Sequence, residues 1–145
     1  MISDERTILD LLAARDAAIA ASDAEAAVAP LASDAVTFEL QPPLQYAFDA
    51  AEAVRGLEEW FATWADGVRS DFTDPTLIIE GDLAVAYGLA HMTGDKKREG
   101  PIDLWFRMTV VLQRRDGEWR IVHSHESVPM MMDGSGKAAT DLKPE

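Results

Sequence analysis

Arg107, Thr109, His123, His125 and Ser127 stand close together in a chain of 145 residues, within two segments that alternate like strands. An arginine inside the run Asp103-Leu104-Trp105-Phe106-Arg107-Met108-Thr109-Val110-Val111-Leu112 is costly to bury, because its guanidinium stays charged. Its planar fork would hold a carboxylate, a carbonyl or an enolate-like oxygen. His125 is the expected acid or base, because an imidazole is the side chain suited to carrying a proton near neutral pH. Thr109 and Ser127 would orient the imidazole or a ligand. A second reading stands beside this one: Arg107 bonds Asp103 or Glu39, and the histidines complete a buried network without turnover.

Which of these groups share a face depends on the turn between the two segments. A two-residue loop, Asp116-Gly117, would pair Arg107 with Glu126. A three-residue loop with a left-handed glycine and a bulge would pair Arg107 with His125. The three-residue register gathers Trp105, Arg107, Thr109, His123, His125 and Ser127 on one face, towards the helices. It leaves Leu104, Phe106, Met108, Val110 and Leu112 for the back of the sheet, and is preferred because it separates polar from apolar. Water does not tolerate such an apolar row, so a homodimer through the back of the sheet is expected.

The elements that must position these groups follow in order. Ser3 caps a first helix in which Ile8, Leu11, Leu12 and Ile19 recur at helical spacing. Arg15 and Asp16 lie on or beside that stripe, as a solvated pair or as polar groups aimed at a cavity. Asp23 opens a short helix stopped near Pro30. Val36 to Leu40 alternates as a strand, and Pro42 to Phe48 reads as a loop carrying Leu44, Tyr46 and Phe48. Asp49 with Glu52 caps a second long helix, whose stripe Val54, Leu57, Trp60, Phe61 and Trp64 ends at Gly67. Trp60 and Trp64 are core packing or a flat wall for a ligand ring.

From Val68 the period becomes two, with an interruption near Pro75 that suggests an edge or a bulge. Gly81-Asp82 turns the chain into Leu83 to Met92, where Ala84, Ala86, Gly88 and Ala90 form an all-small face. Something large must press on it. Gly94 to Pro101 reads as a charged loop, and residues 133–145 as a tail after a single domain over 1–132.

Composition narrows the function classes. Hydrophobic residues make up 48% and charged residues 27%, the balance of an ordinary globular domain. The net charge of −13 argues against nucleic-acid and anionic-membrane partners. Zero cysteines exclude disulfides and thiolate metal sites, and fit a cytoplasmic location. His123 and His125 have the spacing of two metal ligands on a strand, but no further motif supports a metal, and none is expected. No phosphate loop or nucleophile elbow occurs.

Helices followed by a meander of strands define an α+β domain. Together these features resemble the nuclear-transport-factor-2-like superfamily, and within it the SnoaL-like and ketosteroid-isomerase-like proteins. The sharpest part of the likeness is Arg107-Met108-Thr109, then Arg114 to Trp119, then His123-Ser124-His125-Glu126-Ser127. That run is also similar to the end of the association domain of calcium/calmodulin-dependent kinase. The resemblance implies a cone-shaped roll in which helices and a curved, mainly antiparallel sheet enclose a pocket, usually as a dimer. Ketosteroid isomerases use an aspartate base with a tyrosine and a protonated aspartate that hold an enolate. Here Thr109 falls about where that second aspartate would lie and Asp16 near the tyrosine, so isomerase activity does not transfer.

The expectation is a SnoaL-like protein that binds a small, partly apolar molecule bearing a carbonyl or carboxylate. Arg107 would hold the oxygen, His125 would carry the proton, and Tyr46, Trp60, Trp64 and Trp105 would form walls. Any catalysis would be cofactor-free isomerisation, cyclisation or dehydration. The alternative is a non-catalytic ligand-binding or oligomerisation module.

Overall fold

Three carboxylate or hydroxyl caps start the three helices of this computed structural model, which describes residues 2–145. The Ser3 hydroxyl accepts from the Arg6 amide at the head of α1 (Asp4–Ala20). Asp23 does the same for α2 (Ala24–Val28) and Asp49 for α3 (Ala50–Phe61). Each satisfies an amide that the first helical turn leaves without a partner.

The strands are β1 (Leu31–Phe38), β2 (Tyr46–Ala47), β3 (Trp64–Glu80), β4 (Leu83–Lys96), β5 (Gly100–Arg115) and β6 (Glu118–Ser127). They form one open, mixed sheet in the order β2-β1-β6-β5-β4-β3, with β1 parallel to β6 and the other pairs antiparallel. The helices pack on one face of it. Several boundaries differ from expectation. Trp64 belongs to β3, not α3, because it pairs across the sheet with Lys96. The stretch around Gly94 to Pro101 is strand on both sides of a short turn, since Gly94 pairs with Ile102. The expected tail folds back: Met130 bridges Ala138, and Ala139 is buried.

The main correction concerns which way β5 faces. Phe106, Met108, Val110 and Leu112 do not lie on the back of the sheet; they are buried in one core with Ile8 and Leu12 of α1. Their partners on β4 are Ala90, Gly88, Ala86 and Ala84, so the small face receives the large row. Each such side chain contributes roughly 1.5–3 kcal/mol when removed from water, whereas burying Arg107 unpaired would cost more than that. The apolar row therefore takes the helical side, and Trp105, Arg107 and Thr109 point outward.

The turn takes the two-residue form rather than the preferred three-residue one, but the register at Arg107 differs from both expectations. Asp116 and Gly117 both have positive φ, as a two-residue hairpin turn requires. Arg115 pairs with Glu118 and Leu112 with Ile121, but Val111 pairs with His123. The extra residue is Val122, a bulge that moves every later pair by one. Arg107 consequently faces Ser127, not Glu126 or His125.

A second cluster joins Ile19 and Ala24 to Phe61, Trp64 and Val68 at the other end of the helical face. Gly94 makes room for it: a Cβ there would lie 2.8 Å from Trp64.

The orientation of β5 can be tested by paired substitutions. Leu112→Ala is expected to lower unfolding stability by ~2–5 kcal/mol and Arg107→Ala by under ~1 kcal/mol, measured by urea denaturation. A larger loss from Arg107→Ala than from Leu112→Ala would mean that the face is assigned wrongly.

Candidate functional site

Because of the bulge, alternate residues of β6 beyond Val122 change sides. Ser124 and Glu126 point with Val110 and Met108 towards the helices, while His123, His125 and Ser127 point outward with Val111, Thr109 and Arg107. The six residues expected on one face do share a face. It is the outer face, not the one covered by helices.

On that outer face the contacts are specific. Arg107 Nε donates to Ser127 Oγ at 3.1 Å. His123 Nδ1 donates to the Val36 carbonyl at 2.6 Å, and Phe38 meets His123 and His125 edge-on at 4.6 and 5.1 Å. Trp105 stacks flat on His91 at 4.1 Å, and His91 Nε2 lies 2.7 Å from Asp103. Lys143 also reaches Asp103, and the His91 and Lys143 hydrogen bonds hold its carboxyl below the ordinary range.

The aromatic walls are dispersed. Tyr46 donates its hydroxyl to the Pro42 carbonyl at 2.6 Å, which ties the loop before β2 to itself. Trp60 and Trp64 meet edge-on at 5.6 Å within the second core cluster. The Lys96 ammonium lies 4.6 Å over Trp64 and donates to Thr63 at 2.8 Å. Among the described residues, the Trp64 indole N–H is the one buried side-chain polar atom without a partner.

The inward side holds the group that sequence reasoning passed over. Glu126 lines an open groove of about 820 Å3 at the end of β1, together with Phe38, Glu39, His125 and the loop 40–45. The residue keeps some surface at the groove, while protein encloses its carboxyl elsewhere. Burial pushes that carboxyl up to about 7; Arg15 on α1 draws it down and Glu39 adds to the rise. No hydrogen bond contributes to its setting. Glu39 itself is anchored, its Oε2 accepting from the buried Thr37 hydroxyl at 3.0 Å. Arg15 donates through Nε to the Ala27 carbonyl at 3.2 Å, which fixes its stem between α1 and α2.

Asp16 turns the other way. Its carboxylate accepts from the Phe72 amide at 2.9 Å and borders a smaller groove of about 380 Å3 between α1 and the bulge of β3. Burial pushes its carboxyl up, against the lowering by that hydrogen bond and by Arg15. Of the two readings of this pair, a polar group aimed at a cavity fits Asp16, whereas Arg15 lines neither groove and is tied to the Ala27 carbonyl. Among the described residues no cluster of three or more His, Cys, Asp or Glu could hold a metal ion. Among the described residues no helix is long and apolar enough to cross a membrane.

With this arrangement in view, the comparisons define the class of protein. The SnoaL-like domain family matches residues 8–131, and the chain belongs to that family. An NTF2-like protein of unknown function from Pseudomonas putida KT2440 superposes with a TM-score of 0.83 at 26% identity, covering 99% of this chain and 100% of that one. A candidate calcium/calmodulin-dependent protein kinase II association domain from Xanthomonas campestris gives 0.72 at 22%, over 87% and 88%. A candidate dehydratase of the NTF2-like family from Streptomyces avermitilis gives 0.74 at 14%, over 88% and 97%. A search of curated proteins found no match. Likeness at these lower identities shows the shared fold alone.

The setting of Glu126 has a consequence for stability. The native state holds its proton more tightly than the unfolded chain, where the ordinary value is 4.5. Its contribution is therefore complete below that value and is lost as pH rises through about 7. Glu126→Gln removes the penalty and should be more stable than wild type at pH 8, by up to about 3 kcal/mol. The gap should close near pH 4. Denaturation at several pH values checks this, and a gap that does not vary with pH would refute the assignment.

Proposed function

We propose that this SnoaL-like chain binds a small, partly apolar molecule, with a carbonyl or carboxylate oxygen, in the groove at the end of β1. Glu126 moves a proton on it. What carries the reading is a half-buried carboxyl that lines an open groove and whose proton affinity burial raises to about 7. A general acid or base works best when its pKa lies near the working pH. His125 lines the same groove from the outer side, so it remains part of the site, while the proton-carrying role passes to Glu126. Arg107 stands one pair further along β5 and faces Ser127, outside the groove lining.

The chemistry would need no cofactor. A carboxylate takes a proton from the carbon beside a carbonyl, the electron pair moves onto oxygen as an enolate, and the acid returns the proton to another carbon or to a leaving hydroxyl. The first outcome is isomerisation and the second dehydration. The Streptomyces protein named as a candidate dehydratase lends the second some support. The rival, a non-catalytic binding or assembly module, draws on the likeness to the Xanthomonas association-domain protein.

A panel of enolisable ketones offered to wild type and Glu126→Gln separates the two. Deuterium exchange at the carbon beside the carbonyl, followed by NMR, should be catalysed by wild type and fall at least ~100-fold in the variant. Equal exchange in both would end the catalytic role.

A second copy of the chain over the outer face belongs to the same proposal. Ile78, Tyr87 and Leu89 are 52%, 45% and 39% exposed there, an apolar patch that a lone domain rarely leaves in water. Sedimentation at micromolar concentration should give twice the chain mass of 15.9 kDa. A single-chain mass would remove the dimer from the proposal.

A further inference from the structure

We propose that residues 40–45 are a flap that closes over a ligand in the groove, with Leu44 seated on its apolar body. This rests on the reading of the groove as a small-molecule site and names the wall that moves. All six residues line the groove, and the end of β6 lines it through His125 and Glu126.

Leu44 is the residue of this wall that the open form leaves unused. It is 96% exposed, and it follows Pro42 and Pro43 on an apolar stretch of the lining. A leucine left in water draws no stabilisation from burial in the free protein. A single exposed leucine is ordinary on a protein surface, but one on the wall of a groove has a partner within reach once a ligand is bound. Its apolar surface and that of the ligand would then both leave water. Leu40, 38% exposed on the same lining, would add to that contact.

The loop can move as one piece. The Tyr46 hydroxyl donates to the Pro42 carbonyl at 2.6 Å and accepts from Gln41 Nε2 at 3.3 Å, which closes the loop on itself. Among the described residues, 40–45 make no hydrogen bond to the body of the domain. Its base is fixed instead: Thr37 pairs with Tyr46 and Val36 with Ala47, and the Phe48 amide donates to the Ala35 carbonyl. The tyrosine ring can swing with the tip while its backbone stays paired. A segment without bonds to the body moves at little cost, and such segments serve as lids over reacting groups. Glu126 is half-buried and His125 exposed, so water enters the open groove. Closure would expel it from the carbon that loses a proton.

The test uses 1-indanone, a neutral ketone with a compact hydrocarbon body. Amide shifts of residues 125–127 report whether the groove is occupied. The chain has no cysteine, so spin labels on Leu44→Cys and Glu59→Cys, the second on exposed surface of α3, report movement of the flap. Labelled chain is diluted with unlabelled chain, so that only distances within one copy are read. With 1-indanone bound, the label separation should change, and Leu44→Asp should bind the ketone at least about tenfold more weakly. That variant should keep the wild-type unfolding midpoint, since the side chain is exposed in the free protein. Amide shifts with an unchanged label separation, or with wild-type affinity in Leu44→Asp, would overturn the flap and leave the groove intact. No amide shift in wild type would overturn the flap and the groove together.

Discussion

The fit of one large-residue row on β5 against one small-residue row on β4 governs the rest of the structure. Ala84, Ala86, Gly88 and Ala90 leave a shallow trough, and Phe106, Met108, Val110 and Leu112 rise beside it to meet Ile8 and Leu12. Strand alternation then leaves no freedom. Once Phe106 and Met108 face the helices, Arg107 must face away. Tyr87 and Leu89 follow it outward, because they alternate with the alanines of β4. The outer face is thus apolar and cationic in patches as a by-product of how the core is filled.

Much of this architecture was legible from local chemistry. The caps at Ser3, Asp23 and Asp49, the turns at Gly81-Asp82 and Asp116-Gly117, and the all-small face of β4 each announce themselves through residue type. The end of α3 did not, since Trp64 continues the helical spacing of Trp60 and only its distant pairing with Lys96 makes it strand. The orientation of β5 was misread because the polar groups were assumed to seek a pocket. Burial of the apolar row is the stronger force. The bulge at Val122 has no turn residue to mark it. One trace was available: the inward apolar residues are Trp119 and Ile121 before it, and Val128 just past the end of β6. A strand without a bulge cannot change parity, and by alternation alone Glu126 belongs on the face opposite to His123 and His125.

The site at Glu126 owes its character to what is missing around the carboxyl as much as to what is present. Paired carboxylates elsewhere in the chain, such as Asp34 with Arg115, are held below their ordinary range by a hydrogen-bonded cation. Burial dominates at Glu126, and Arg15 and Glu39 act on it through charge alone and in opposite senses, without a hydrogen bond. Two acids of the same kind are thereby driven in opposite directions by their surroundings. Proton affinity here is a property of position in the fold.

The extra residue in β6 decides which ionisable groups the groove contains. If the bulge straightened with Val122 kept opposite Val111, the ladder would run on from the two-residue turn, pairing His123 with Val110 and His125 with Met108. Both imidazoles would then point towards the helices, and Glu126 would stand outside opposite Arg107. A slip of the strand by one residue exchanges an inward carboxyl for inward imidazoles without altering a single side chain. The same run of residues thus presents different ionisable groups to the helical side according to whether the strand is bulged or straight.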